Sequence, residues 1–284
     1  MTFNRLPFCT QKNTQKIVLF TGVDGTLLDE ETFDIEQAIN ALEYLKQRDI
    51  PIIFCSSKTF SEQDYWQKKL HVNAPFIFEN GSGIAIPKGY FPDNAYEADG
   101  FSGDYDIIIL AQTDAFHVKN TLARINRMYG MALKGYSDCM PEEITRLTHL
   151  KGDLATRALD RMFTEILVNP VDEKLAQVIG PQLASCGLAL GKNARFNSVQ
   201  SLNVDKGKAV KRLQRIYADT MGAAPVSMAI GDSANDIAML EAAQIRFLVQ
   251  RPHGGWAPMD IKGLNRVSAV GPEGFLNAVQ LILG

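Results

Sequence analysis

The chain is poor in the residues that announce a metal cluster or a disulfide frame. Its four cysteines (Cys9, Cys55, Cys139, Cys186) are scattered, with no CxxC or zinc-type spacing. That excludes a disulfide scaffold and a thiolate zinc site, and reduced thiols are expected. There is no excess of base: the formal net charge is -3, which leaves no electrostatic footprint for nucleic acid. An anionic substrate must then be met by local cations or by a metal. No apolar run is long enough to span a bilayer. The opening "MTFNRLPFCTQKN" has no apolar stretch of signal-peptide length, so a cytoplasmic location is expected, with no membrane partner. The sequon Asn80-Gly81-Ser82 then carries no glycan. Repeats and low-complexity tracts are missing. So are the common phosphate loops: "GLALGKN" is one residue short of a Walker loop and has Asn193 where Ser or Thr is required, and no GxGxxG opens a helix. The four histidines (His71, His117, His149, His253) have no partner pattern and read as surface or packing residues.

What is present is ordinary for a soluble globular protein: 284 residues, 46% hydrophobic and 21% charged. That length suggests two domains, or one fold with a large insertion, and is ample for a core. After a polar start, residues 17–20 form a short apolar run of the kind that makes a buried parallel strand. A helix is expected from about Asp34, with Ile35, Ala38, Ile39, Leu42 and Leu45 as one stripe and Asp34 with Gln37 as a capping box. Strands are expected at 52–55 and 76–78, with a helix over 61–70 between them. This β-α-β-α-β rhythm is that of an α/β fold, a doubly wound, Rossmann-like parallel-sheet core.

The pattern then changes. Strand-like runs at 107–110, 163–168 and 187–190 alternate with helices over 113–129, 141–150 and 171–185. This stretch is an inserted α+β cap domain. The expected division is 1–83 for the first core segment, 84–199 for the cap and 200–284 for the second core segment. The α/β rhythm returns with the helical "DKGKAVKRLQRIYADT", then the strand, loop and helix of "PVSMAIGDSANDIAMLEAA". A last helix, "GPEGFLNAVQLIL", has Pro272 and Glu273 suited to its first turn.

Polar residues follow apolar strands directly in three places: Gly22, Asp24 and Thr26; Ser56, Ser57 and Lys58; and Asp232, Asn235 and Asp236. In an open parallel sheet the carboxyl ends of the strands face one crevice, so these groups should converge. Carboxylates at Asp24, Asp232 and Asp236 suit Mg²⁺, which prefers oxygen ligands and phosphate. Lys58 and Lys206 supply fixed positive charge. A metal, a lysine and hydroxyl donors around one point suggest phosphoryl transfer. Each piece also has a plain structural reading. "DGT" is a common turn, Ser56 can cap a helix, and Lys206 can be a solvated lysine at a helix start. Order and spacing together favour the functional reading, most of all in the string "GDSANDIAML".

"GVDGTLLD", "CSSKT", "DKGKA" and "GDSANDIAML" resemble, in order, the four motifs of the haloacid dehalogenase-like phosphatases. More narrowly, "CSSKT", "ENGSGI", "ARFNSV" and "GPEGF" resemble the mannosyl-3-phosphoglycerate phosphatase group. In "RMFTEIL", Arg161 and Glu165 are similar to an arginine–glutamate pair of that group, although its usual proline is Ile166 here. The resemblance implies a Mg²⁺-dependent phosphatase acting through an aspartyl-phosphate on a phosphorylated sugar-glycerate, in a lineage that makes mannosylglycerate, a compatible solute. It makes Asp24 the general acid and base. Ser56 and Lys206 would hold phosphoryl oxygens, and Asp24, Asp232, Asn235 and Asp236 would form or support the metal site. Thr26, Ser57, Lys58, Asn80, Arg161, Glu165 and Arg195 are the substrate-binding candidates. One departure stands out: the position of the nucleophilic aspartate is Gly22. Glycine has no side chain to attack with and none to bind metal, so impaired turnover is expected. A pseudophosphatase that binds without catalysis, another sugar-phosphate phosphatase and a phosphomannomutase-like transferase are the alternatives.

Overall fold

The computed structural model describes residues 16–150, 152–192, 196–252 and 254–283. In chain order the first elements are β1 (Ile17–Thr21), α1 (Glu36–Lys46), β2 (Ile52–Cys55), α2 (Phe60–Lys69), β3 (Phe76–Phe78) and β4 (Gly83–Pro87). Then come β5 (Gly100–Ser102), β6 (Tyr105–Ile109), α3 (Ala115–Tyr129), α4 (Pro141–Thr148), α5 (Leu154–Leu159), β7 (Glu165–Leu167) and α6 (Glu173–Ala184). The last are β8 (Leu188–Lys192), β9 (Asn197–Ser201), α7 (Lys206–Met221), β10 (Val226–Gly231), α8 (Ile237–Ala242), β11 (Ile245–Gln250), β12 (Leu264–Val270) and α9 (Gly271–Leu283). The fold is mixed α/β, with a parallel sheet and a separate small antiparallel sheet. The chain divides into two compact units, one drawn from 1–55, 91–96 and 210–284, the other from 56–90 and 97–209.

In the first unit, β12, β11, β10, β1 and β2 lie side by side and pair in parallel. Strand β1 lies against β10 from Ile17 opposite Val226 to Thr21 opposite Ile230. The continuous apolar run of β1 is explained by this central place, since a parallel strand is covered on both faces. Phe20, Phe54, Phe247 and Phe275 are fully buried in this unit. Helix α1 packs on α9 through a stripe that differs from the expected one. Ala38, Ala41, Leu42 and Leu45 are buried, whereas Ile39 is exposed. The expected capping box is also absent: Ile35 is the N-cap residue. Asp34 instead turns its carboxylate onto the backbone N–H groups of Ile35 and Glu36, at 2.6 and 3.1 Å.

The second unit holds two antiparallel arrays. Strands β3, β4, β6 and β5 pair in that order, and β7, β9 and β8 form a separate three-stranded sheet. Helix α2 starts one residue earlier than expected, with Thr59 and Glu62 forming a reciprocal capping box. Val118, Leu122, Ile125, Leu167, Ile179, Leu183, Leu188 and Val199 make one apolar core between the three-stranded sheet and helices α3 and α6. Phe60, Phe76, Phe78 and Tyr105 form an aromatic cluster with ring centroids 5.3–6.1 Å apart. Burial, and then the Asp64 carboxylate, push the Tyr105 phenol well above its usual range, so it stays protonated.

Cys55, Cys139 and Cys186 are free thiols, and Cys9 lies outside the described residues. Among the described residues no helix is long and apolar enough to cross a membrane.

Candidate active site

Two loops leave the same end of neighbouring parallel strands in the first unit. One follows β1 and carries Gly22, Asp24 and Thr26; the other follows β10 and carries Asp232, Asn235 and Asp236. The strand pairing continues one step past β1, where the Gly22 N–H donates to the Ile230 carbonyl at 2.9 Å. The loops are then stitched together by side chains. The Thr26 hydroxyl donates to Asp232 Oδ1 at 3.2 Å, with Thr26 fully buried and Asp232 nearly so. Asp236 serves its own loop: its Oδ2 accepts from the N–H groups of Asp232 and Ser233 and from the Ser233 hydroxyl, at 3.1–3.4 Å. Gly25 has φ of +72°, and a Cβ there would lie 2.8 Å from Asp232 Oδ2. Only glycine permits both that left-handed backbone and that approach.

Gly22 is different. Its φ is not left-handed, and a Cβ there would lie 2.9 Å from Thr26 Oγ1 and 3.5 Å from Asp236 Oδ2. The backbone therefore does not need glycine at this position. A side chain would displace one threonine hydroxyl by a few tenths of an ångström and enter directly among the carboxylate-bearing loops.

The remaining predicted residues lie in the second unit. The Ser56 hydroxyl accepts from the Lys58 N–H at 3.2 Å, and Lys58 Nζ lies 3.4 Å from Glu62 Oε1, with both of those side chains buried. Asn80 takes a left-handed conformation (φ 59°) and donates from Nδ2 to Gln200 Oε1 at 3.0 Å and to Ser198 Oγ at 3.4 Å. Gly81, at φ +92°, brings this turn against the backbone of Asp205 and Lys206, where a Cβ would lie 2.3 Å from the Asp205 carbonyl oxygen. "ENGSG" and "DKGKA" are thus packed together, and Lys206 opens α7 as a buried residue. Ser57 is drawn to the Arg161 guanidinium, whose Nη2 donates to the Ser57 carbonyl at 2.8 Å. Glu165 is buried, and its carboxylate accepts from the N–H groups of Tyr136, Ser137 and Ile166 at 2.8–3.3 Å. Arg195 and His253 lie outside the described residues.

Glu79 escapes a reading by motif. It is fully buried at φ 46°, and its carboxylate accepts from the N–H groups of Met162, Phe163 and Thr164 and from the Thr164 hydroxyl, at 2.7–3.0 Å. It therefore shapes the segment that presents Arg161 and Glu165. Its one signal in the sequence is an acidic residue directly after a wholly apolar strand. Gln200, which holds Asn80, and Lys119, which lines a cavity beside Arg161 and Glu165, gave no signal.

Residues 19–252 match the haloacid dehalogenase-like hydrolases. The chain belongs to this family. It is 34% identical over 95% of its length to a glucosyl-3-phosphoglycerate/mannosyl-3-phosphoglycerate phosphatase of Methanococcoides burtonii, of which it covers 98%. It is 36% identical over 82% of its length to the mannosyl-3-phosphoglycerate phosphatase of Pyrococcus furiosus, of which it covers 90%. Among solved structures, a phosphatase of the same superfamily from Bacteroides thetaiotaomicron aligns with a TM-score of 0.66 at 19% identity, covering 97% of this chain and 98% of that one. By homology the chain is a phosphoric monoester hydrolase.

Phosphatases of this family generally use a divalent metal. The residues present do not make a complete site for one. Among the described residues no three His, Cys, Asp or Glu side chains are grouped as a metal's donors. Two features account for this. Gly22 contributes no carboxylate, and Asp236 spends an oxygen on its own loop.

Proposed function

We propose that this chain is a phosphatase scaffold for glucosyl- or mannosyl-3-phosphoglycerate whose turnover is suppressed at position 22. The observation that carries the reading is the contrast at Gly22. The loops around it keep the aspartates of the motif, the backbone conformation does not call for glycine, and the part this reading lacks is the side chain that would attack. Identities of 34–36% to phosphatases named for these substrates support the substrate class.

With an aspartate at position 22, the chemistry follows the resemblance. A carboxylate oxygen attacks phosphorus, and the ester P–O bond breaks. Asp24 gives a proton to the leaving oxygen, so the glycosylglycerate departs as a neutral alcohol group. Asp24 then takes a proton from a water that attacks the acyl phosphate, releasing phosphate and regenerating the carboxylate. Thr26 and Gly25 hold Asp232 in place. Ser56 and Lys206 hold phosphoryl oxygens, and Asn235 and Asp236 support the metal shell and Lys206. Mg²⁺ would be held by the backbone carbonyl of Asp24, by Asp232 and by the carboxylate that position 22 lacks, with Asn235 and Asp236 in support, and it would offset charge on the phosphoryl oxygens. Thr26, Ser57, Lys58, Asn80, Arg161, Glu165 and Arg195 remain the substrate-binding assignments, with 84–199 as the cap. Gly22 itself favours a second reading, a phosphoglycoside-binding protein without catalysis.

The test is phosphate release from mannosyl-3-phosphoglycerate and glucosyl-3-phosphoglycerate in the presence of Mg²⁺, comparing this chain with Gly22→Asp. Turnover by the aspartate variant alone establishes a silenced phosphatase. Turnover by neither, with ligand still bound, establishes the binder. Turnover by neither and no binding removes the substrate class.

A further inference from the structure

A cavity of about 150 Å³ lies within the second unit, lined by Ala115, Phe116, Lys119, Ser137, Leu159, Arg161, Thr164 and Glu165. It is too small for a whole drug-sized ligand and suits one end of a larger one. Its two carboxyl-bearing neighbours are already occupied. Glu165 accepts three backbone N–H groups, and Glu79, 3.9 Å from Arg161 Nε, accepts three more and a hydroxyl.

The two cations differ in kind. The Arg161 side chain is 6% exposed and anchored, with Nε on the Thr164 hydroxyl at 2.9 Å and Nη2 on the Ser57 carbonyl at 2.8 Å. Among the described residues its Nη1 has no acceptor, so N–H groups of a fixed guanidinium are left unspent. Its charge is already faced by Glu79. Lys119 is half exposed. Among the described residues its contacts are long, 3.4 Å to Asp138 Oδ1 and 3.5 Å to the Ser137 carbonyl. Asp138 is itself 44% exposed, and its other oxygen accepts from the Gly135 N–H. An exposed pair of this kind contributes little and releases its lysine cheaply.

We propose that Lys119 is a specificity-determining residue that selects a ligand bearing a carboxylate at the mouth of this cavity. The proposal rests on the glycosyl-phosphoglycerate reading above, in which the glycerate supplies that carboxylate. The division of labour follows from the charges. Arg161 is fixed by Thr164 and Ser57, and Glu165 by three backbone N–H groups, so neither is free to follow a ligand's charge. Lys119 is the mobile charge, able to leave a weak partner for a better one. The apolar faces of Phe116 and Leu159 leave room for C–H surface beside it.

The experiment is calorimetric titration of the full chain with mannosyl-3-phosphoglycerate and with its analogue in which the carboxylate is reduced to a primary alcohol. The wild type should prefer the carboxylate ligand by about fivefold, the strength of a modest ion pair. Lys119→Gln should erase that preference by weakening the carboxylate ligand while leaving the alcohol unchanged, and Lys119→Arg should restore it. A preference that survives in Lys119→Gln overturns the assignment. So does equal weakening of both ligands, which marks a structural role. If the wild type binds neither ligand, the substrate class itself is wrong, an outcome distinct from binding both without discrimination.

Discussion

At the scale of single residues, the site turns on three positions of one loop. Gly22→Asp should raise phosphate release by at least ~10³-fold, because a covalent nucleophile and the groups that serve it fail together and recover together. The same variant should tighten Mg²⁺ binding, read by calorimetry without substrate, since it adds a carboxylate beside Thr26 and Asp236. Unchanged metal affinity would show that the restored side chain points elsewhere. On that background, Asp24→Asn should cost roughly 10²- to 10⁴-fold in turnover, the range of a lost general acid and base, while affinity for the phosphorylated ligand stays close to the parent. Gly25→Ala tests the loop rather than the chemistry. It forces a left-handed conformation on alanine and drives a methyl into the Asp232 carboxylate, so a loss of about 1–3 kcal/mol in denaturant stability is expected, with lower turnover on the Gly22→Asp background.

At the scale of elements, the second unit is held by side chains that satisfy backbone. The Thr59 hydroxyl accepts the Glu62 N–H at 3.1 Å and donates to the Arg157 carbonyl at 2.8 Å, joining the start of α2 to α5. Thr59→Ala should therefore cost about 1–2 kcal/mol, the upper part of the range for an N-cap, measured by chemical denaturation. A loss near zero would mean that the α5 contact is not maintained in solution. These links also explain what could be read in the sequence and what could not. Strands β1, β2, β3 and β10 are largely apolar runs that pass directly into Gly22, Ser56, Glu79 and Asp232, and they announce themselves. Strands β5 (Gly-Phe-Ser) and β9 (Asn-Ser-Val-Gln-Ser) are short, polar and formed by pairing, so composition hides them. Helix α5 has six residues, too few to show a period. Gly22 and the aspartates were legible because local spacing carries them. Glu79 and Lys119 were not, because their meaning comes from partners that only the fold brings to them, Met162 to Thr164 for one and Ser137 and Asp138 for the other.

At the scale of the whole molecule, the chain passes from the first unit to the second and back more than once, yet each unit keeps its own core. Phe20, Phe54, Phe247 and Phe275 belong to one; Val118, Leu122, Leu167, Leu183 and Val199 belong to the other. Separate cores of this size allow separate cooperative transitions, because each loses its buried area independently. Leu183 is fully buried on α6 and packs within the second core, so Leu183→Ala should remove about 2–5 kcal/mol from that unit. Scanning calorimetry should show one transition moved down and the other in place. Near-ultraviolet signals from the Phe60, Phe76, Phe78 and Tyr105 cluster should follow the transition that moved, since those rings lie in the second unit. A single transition that shifts as one would show instead that the segments shared along the chain couple the two cores into one folding unit. In that case substitutions in either core would lower the stability of both, and loss of ligand binding in Leu183→Ala could not be assigned to the second unit alone.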